Sequence, residues 1–248
     1  MFLLSSVNSF YGYGYGYGRY GYMFDPTILL VLAGLVLSMA ASAMVKNTFS
    51  KYSCVRSASG LTGAMAAQRV LHNAGIYDVS VEHVSGSLTD HYDPRSKTLR
   101  LSDSTYGSNS VAAVCVAAHE CGHAIQHQVN YAPLALRSTL VPAANFGSSI
   151  SWPVFLMGLV LSLRPLLMAG IVLFSLAVLF QLVTLPVELN ASKRALRVLE
   201  DGHLLGDTEL SDGRKVLRAA ALTYVAGLAA SVLQLLRLII LAGGRRRD

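Results

Sequence analysis

Five consecutive residues carry the clearest chemistry in this chain: His119, Glu120, Cys121, Gly122 and His123. On an α-helix, positions i and i+4 share a face and lie about 6 Å apart along the axis. Two imidazoles so placed can reach one metal ion. Glu120 follows the first of them and can contact a water in the ion's open position. That set suits amide hydrolysis, with the ion polarising the carbonyl and the carboxylate accepting the water's proton. A purely structural zinc site needs no such base. Glutamate is also scarce, with only five in 248 residues, so an accidental one inside this run is unexpected. Gly122 within a helix costs about 1 kcal/mol relative to Ala, which suggests that another element or a substrate comes close there.

A catalytic zinc needs a third protein ligand and one open position. His127 continues the i, i+4, i+8 row but lies about 12 Å along the axis from His119, too far for the same ion on a straight helix. Position 129, where the turn-based three-histidine class would carry its ligand, is Val129. The candidates left are Glu188, His203 and the upstream pair His83 and His91. Glu188 is the first acidic residue after Glu120. Two apolar runs separate it from the motif, and a helical hairpin down and back returns the chain to the face it left. On this reading Glu188 stands at the start of a polar helix. His203 and Tyr224 are candidates for hydrogen-bonding a tetrahedral intermediate. The segment Lys97 to Leu101 is a candidate edge strand that would pair with an extended peptide.

The elements that must position these residues are mostly apolar. The chain is 53% hydrophobic and only 14% charged, against roughly 25% charged in soluble domains. Four runs are long enough to span a bilayer, which takes about 20 residues: 27–45, 141–163, 166–187 and 219–241. The second contains Pro142 and Pro153 and is expected to kink or begin late. Between the first and second runs lies a mixed region, 46–140. Ser57 to Ala74 has helical spacing, Val79 to Val84 and Lys97 to Leu101 alternate like strands, and Asp90 to Ser96 reads as turn-rich. Ser108 to Ser110 cap a helix over about Val111 to His127. The region 188–218 reads as two helical pieces around a loop at Gly202 to Gly213. The fold class expected is therefore mainly α and membrane-embedded: about four transmembrane helices, with a zincin-like α+β catalytic segment between the first and second.

The ends are a Tyr/Gly-rich tail, 1–26, and a basic tail, 242–248. The tail run Phe10 to Tyr22 is low-complexity, reads as flexible and interfacial, and lacks the form of a secretory signal peptide. The net charge is +6 and the pI about 9.3. The basic residues flank apolar runs, as Arg245 to Arg247 do, which suits anionic lipid headgroups and argues against nucleic-acid binding. The three cysteines, Cys54, Cys115 and Cys121, have no regular spacing and make no disulfide framework. Four spans put both termini on one face and the catalytic segments on the other. The latter face collects more Lys and Arg, including Lys46, Arg137, Lys193 and Arg218, so a cytoplasmic active site is expected.

Three stretches together resemble the YugP-like bacterial family of neutral zinc metallopeptidases: Ala118 to Gln126 (AHECGHAIQ), Leu185 to Leu196 (LPVELNASKRAL) and Ala219 to Val225 (AAALTYV). The likeness covers roughly residues 27–247. More distantly, the order of elements is similar to membrane gluzincins of the CAAX-prenyl-protease type, whose third ligand opens a Glu-x-x-Ala-Asp pattern. Here the matching residues are Glu188, Ala191 and Ser192, with Ser in place of Asp. The resemblance implies a zinc cofactor held by His119, His123 and Glu188, with Glu120 as general base.

The reading is then a multi-pass metallopeptidase of a bacterial cell membrane, acting on polypeptides, with its oligomeric state open. Two alternatives differ in class. One is a membrane scaffold or adaptor that keeps a zinc site without proteolysis. The other is an intramembrane-cleaving metalloprotease, which would carry the motif inside a true spanning helix.

Overall fold

A computed structural model of the chain describes residues 25–244. The Tyr/Gly-rich run Phe10 to Tyr22 and the triplet Arg245 to Arg247 lie outside the described residues. Six helices and three short strands follow in order: α1 (Ile28–Ser53), α2 (Gly63–Asn73), β1 (Ser80–Val84), β2 (His91–Asp93), β3 (Thr98–Ser102), α3 (Val111–Gln128), α4 (Ala132–Val160), α5 (Arg164–Asp201) and α6 (Asp207–Gly243). Helices α1, α4, α5 and α6 are each long and apolar enough to cross a bilayer.

These four helices lack the one-sided apolar stripe of soluble helices. In α1, Leu32, Val36 and Met39 are half or more exposed, or nearly so, as expected of surfaces turned to lipid. Lipid tails are as apolar as leucine, so close packing of small residues takes the place of hydrophobic driving force between such helices. Glycines do this between α4 and α5. A Cβ on Gly147 would sit 2.5 Å from the Leu173 carbonyl oxygen, and one on Gly170 would sit 2.7 Å from Phe155 Cβ. Across α1 and α6, Gly34 packs on Ala230. At one end of the bundle Arg237 of α6 donates to Asp25 Oδ2 at 3.2 Å and lies 5.6 Å from the Trp152 ring. The partly buried arginine of the fourth apolar run is thereby paired, and the start of α1 is tied to the end of α6.

At the other end, α2, the sheet and α3 pack against the polar halves of α5 and α6. Leu71, Leu99, Leu101, Val114, Ala118, Cys121, Leu199 and Leu217 form one buried core there. Each fully buried Leu contributes about 1.5–3 kcal/mol relative to exposure. Side chains set the helix starts. Ser110 Oγ accepts from the Ala113 N–H at 3.2 Å and caps α3, as Thr62 caps α2.

Five expectations need correction. The sheet order is β1-β3-β2, with β1 parallel and β2 antiparallel to β3. The strand within Lys97 to Leu101 is thus the centre of the sheet and offers no free edge. The outer strands are β1 and β2, and β2 lies inside the stretch read as turns; three residues are too few for an alternation signal, and β3 supplies their order. Pro142 and Pro153 sit within a continuous α4 that starts earlier than the apolar run. Glu188 does not open a helix: α5 runs unbroken through Pro186 to Asp201. Last, the loop expected at Gly202 to Gly213 is only the turn Gly202 to Gly206, because Glu209 Oε2 accepts from Gly206 N–H at 2.9 Å and starts α6 early.

Candidate metal centre

Helix α3 presents His119 and His123 on one face, with ring centroids 4.9 Å apart and planes at 84°. Helix α5 brings Glu188 to them from the side. The Oε2 atom of Glu188 lies 3.3 Å from His119 Nε2 and 3.5 Å from His123 Nε2. The donor atoms of these three residues all fall within 4.8 Å of one another, the one such metal-competent group of three or more among the described residues.

A tetrahedral zinc with bonds of about 2.0–2.1 Å separates its ligand atoms by about 3.3–3.4 Å. The observed spacings fit that ion. A second observation points the same way. Glu188 is only 2% exposed, and its Oε2 has no hydrogen-bond partner. A buried carboxylate oxygen without a partner costs on the order of 1–3 kcal/mol or more. A cation held between it and the two imidazoles would remove that cost.

The far side of each ligand is anchored. With Nε2 turned to the metal position, each ring carries its proton on Nδ1. His119 Nδ1 donates to Ser192 Oγ at 3.1 Å, and His123 Nδ1 donates to Gln126 Oε1 at 3.1 Å. Gln126 is completely buried. Its Nε2 donates to the Val187 carbonyl at 2.8 Å and to Asn190 Oδ1 at 3.0 Å. The same Asn190 oxygen accepts from Arg194 Nε at 2.8 Å. One chain of hydrogen bonds therefore joins His123 on α3 to Arg194 on α5. The other Glu188 oxygen, Oε1, accepts from Arg137 Nη1 of α4 at 3.0 Å. Both histidines use neutral acceptors where a carboxylate often serves.

Burial acts to lower the His123 pKa. The nearby Glu188 carboxylate and the charge of Glu120 outweigh it, so the group is held above the ordinary imidazole value. Burial and the nearby Glu120 push the Cys121 thiol far up, and burial raises Cys115 to about 12.

A cavity of about 290 Å³ opens on the cluster. Glu120, itself buried, lines it with His119, His123, Glu188, Arg137 and Tyr224. Its other wall comes from strand β2 and its flanks, with Asp90, His91, Tyr92 and Pro94. A larger hollow of about 600 Å³ adjoins it, sharing Pro94, Leu134, Ser138 and Val141.

The structure thus brings together His119, Glu120, His123, Glu188 and Tyr224 and leaves His203 elsewhere. His203 is a turn residue with φ 49, just past the end of α5 and about 20 Å along that helix from Glu188. It does not line the cavity. His91 lines it but turns Nδ1 to the Thr89 carbonyl, while His83 pairs with Asp103 and His127 with the Tyr92 hydroxyl. Sequence reasoning missed Arg137, Gln126 and Asn190. Gln126 had a signal, three residues beyond His123 on the same helix. Arg137 had none, since its role depends on where α4 packs.

Gly122 accounts for the closeness of α3 and α5. A Cβ there would lie 2.5 Å from the Ala191 carbonyl oxygen, so the helix-propensity cost noted in the sequence serves the approach that carries Glu188 to the histidines.

Comparison with known proteins adds two findings. Residues 27–243 match the family model described as "Putative neutral zinc metallopeptidase". The protein named "Putative membrane protease YugP" of Bacillus subtilis (strain 168) is 48% identical over 214 residues, covering 86% of this chain and 95% of that protein. No solved structure matches the chain.

Proposed function

Since the chain belongs to the neutral zinc metallopeptidase family, we propose that it is a membrane-embedded zinc endopeptidase in which Glu120 is the general base. One observation carries the reading. Glu188 Oε2 is buried without a hydrogen-bond partner, 3.3 and 3.5 Å from two imidazole nitrogens, beside a cavity that also holds a glutamate. His119, His123 and Glu188 would hold the zinc. When bound, zinc supplies Lewis-acid polarisation of the scissile carbonyl and lowers the pKa of an attacking water towards 7. Glu120 takes the proton from that water and returns it to the leaving amine. Tyr224, in the cavity wall, donates a hydrogen bond to the oxyanion that develops. The unpaired edge of β2 offers main-chain hydrogen bonds to an extended substrate.

A scaffold that keeps zinc for stability fits less well. Structural zinc sites are closed, whereas this cluster opens on a cavity lined by Glu120. The reading locates the enzyme in a bacterial cell membrane with the active site on the cytoplasmic face, following the excess of Lys and Arg there. The decisive experiment measures zinc content and casein hydrolysis of the purified full chain beside Glu120→Gln. The variant is expected to keep its zinc and lose at least a hundredfold in hydrolysis. Undiminished hydrolysis in the variant would refute the base assignment.

A further inference from the structure

The depth of the metal centre relative to the apolar layer can be read from four helices at once. Uncharged stretches run from 26 to 45 in α1, 138 to 163 across α4, 165 to 187 in α5 and 219 to 236 in α6. Over their helical residues, at 1.5 Å per residue, these measure about 27–35 Å, matching a hydrocarbon core of about 30 Å. At one end the first charges met are Asp25, Arg164 and Arg237. At the other they are Lys46, Arg137, Glu188 and Arg218. Two of this second group are in direct contact, since Arg137 donates to Glu188 at 3.0 Å. They mark one level shared by α4 and α5, and Glu188 is also the residue that meets the two histidines.

The metal centre therefore stands at the rim of the apolar layer, at headgroup depth, and away from the midplane. Its cavity straddles that rim. Asp90, His91 and Pro94 line the aqueous side, while Val141 and Tyr224 lie beyond Arg137 and Arg218 on the apolar side. A stripe of α4, Leu134, Ser138 and Val141, runs from the one side to the other and lines both adjoining hollows. Val141 and Leu136 are exposed on the same helix at this level. A folded soluble protein would have to reach into the headgroup layer to meet such a site. An extended segment leaving the bilayer is already there.

We propose that the substrates are membrane-anchored polypeptides, cut in the extended segment next to the point where the chain leaves the bilayer. This rests on the peptidase reading and adds the substrate class to it. An anchor confines the segment to the depth of the cavity, which raises its effective concentration without any new contact. The side chain next to the anchor meets the apolar part of the stripe, and the segment beyond it lies along β2. About ten extended residues reach roughly 33–36 Å, well past a headgroup layer of roughly 5–8 Å.

The test uses the full chain, zinc-loaded and reconstituted in vesicles of phosphatidylethanolamine and phosphatidylglycerol, with Glu120→Gln in parallel. One unfolded casein segment is fused about 3, 10 and 30 residues from a single spanning helix, and is also supplied free in solution. Cut sites are mapped by mass spectrometry. Cleavage is expected within about ten residues of the anchor whatever lies there, with the free segment cut at least tenfold more slowly. Equal rates for free and anchored segments, cut sites that follow the casein sequence out to the longest linker, or cuts inside the anchor would each overturn the proposal. If the zinc-loaded enzyme cuts none of the four substrates, the peptidase reading itself fails and takes this one with it.

Discussion

Gly122 of α3 lies so close to Ala191 of α5 that a Cβ there would stand 2.5 Å from the Ala191 carbonyl oxygen and 3.1 Å from its carbonyl carbon. The atoms in the way are backbone, so no side chain can swing aside. Replacing Gly122 by Ala gains about 1 kcal/mol of helix propensity, but a new contact this short must push the two helices apart. Glu188 stands three residues before Ala191, and its distances of 3.3 and 3.5 Å to the histidines leave no slack. Gly122→Ala is expected to lower zinc affinity at least tenfold with little change in overall helix content. Competition with a chelator and circular dichroism check it. Unaltered zinc retention would mean that the helices can shift together.

Much of this was legible in the residues themselves. The motif helix announces its start through Ser110 and its chemistry through His119, Glu120 and His123. The long apolar runs announce helices because few charged residues interrupt them. What escaped depends on partners distant in sequence. Strand β2 exists because β3 pairs with it. The end of the third apolar run suggested a helix start at Glu188, yet α5 passes through Pro186 and Glu188 sits mid-helix. Arg137 looked like a residue at the edge of a span, and only the packing of α4 on α5 turns it to Glu188.

The neutral acceptors behind the ligands give a second prediction. Gln126 holds His123 Nδ1 and ties α3 to the Val187 carbonyl and Asn190. Gln126→Leu keeps the volume but leaves the His123 N–H and the Val187 carbonyl without these partners. Outer partners of metal-bound histidines typically matter by 10–100-fold in affinity. A loss of about that size is expected in a zinc titration, while Arg194→Met, which removes only the surface end of the same chain, should lose much less. Equal losses would show that the chain acts as a unit.

The cysteines test the fold independently of any metal. Cys54 is exposed, whereas Cys115 and Cys121 are buried free thiols. Burial raises Cys115 to about 12 and Cys121 well above its usual value. Thiolate is the reactive form, and at pH 7 to 8 both buried groups stay protonated. Titration with a maleimide should label one thiol in the native protein and three after denaturation. Rapid native labelling of Cys121 would mean that the face of α3 packed against α2, where Cys121 Sγ meets the Ala67 carbonyl, is open to solvent.

The third ligand is the most consequential assignment. Among the described residues Glu188 alone supplies a carboxylate oxygen beside both Nε2 atoms. Its other oxygen is engaged by Arg137 at 3.0 Å, which orients the carboxylate and leaves Oε2 towards the histidines. Removing the side chain takes away one of three ligands and strands the Arg137 guanidinium. Glu188→Ala is therefore expected to lose zinc as severely as His123→Ala. Glu188→Gln keeps the shape without the charge and should lose most of the affinity too, which separates ligation from packing. His203 lies on the turn past α5, outside the cavity, so His203→Ala should retain one zinc per chain after dialysis. Metal analysis of the four purified variants decides it. Retention of zinc by Glu188→Ala together with loss from His203→Ala would require α5 and the turn after it to fold over the site in another way.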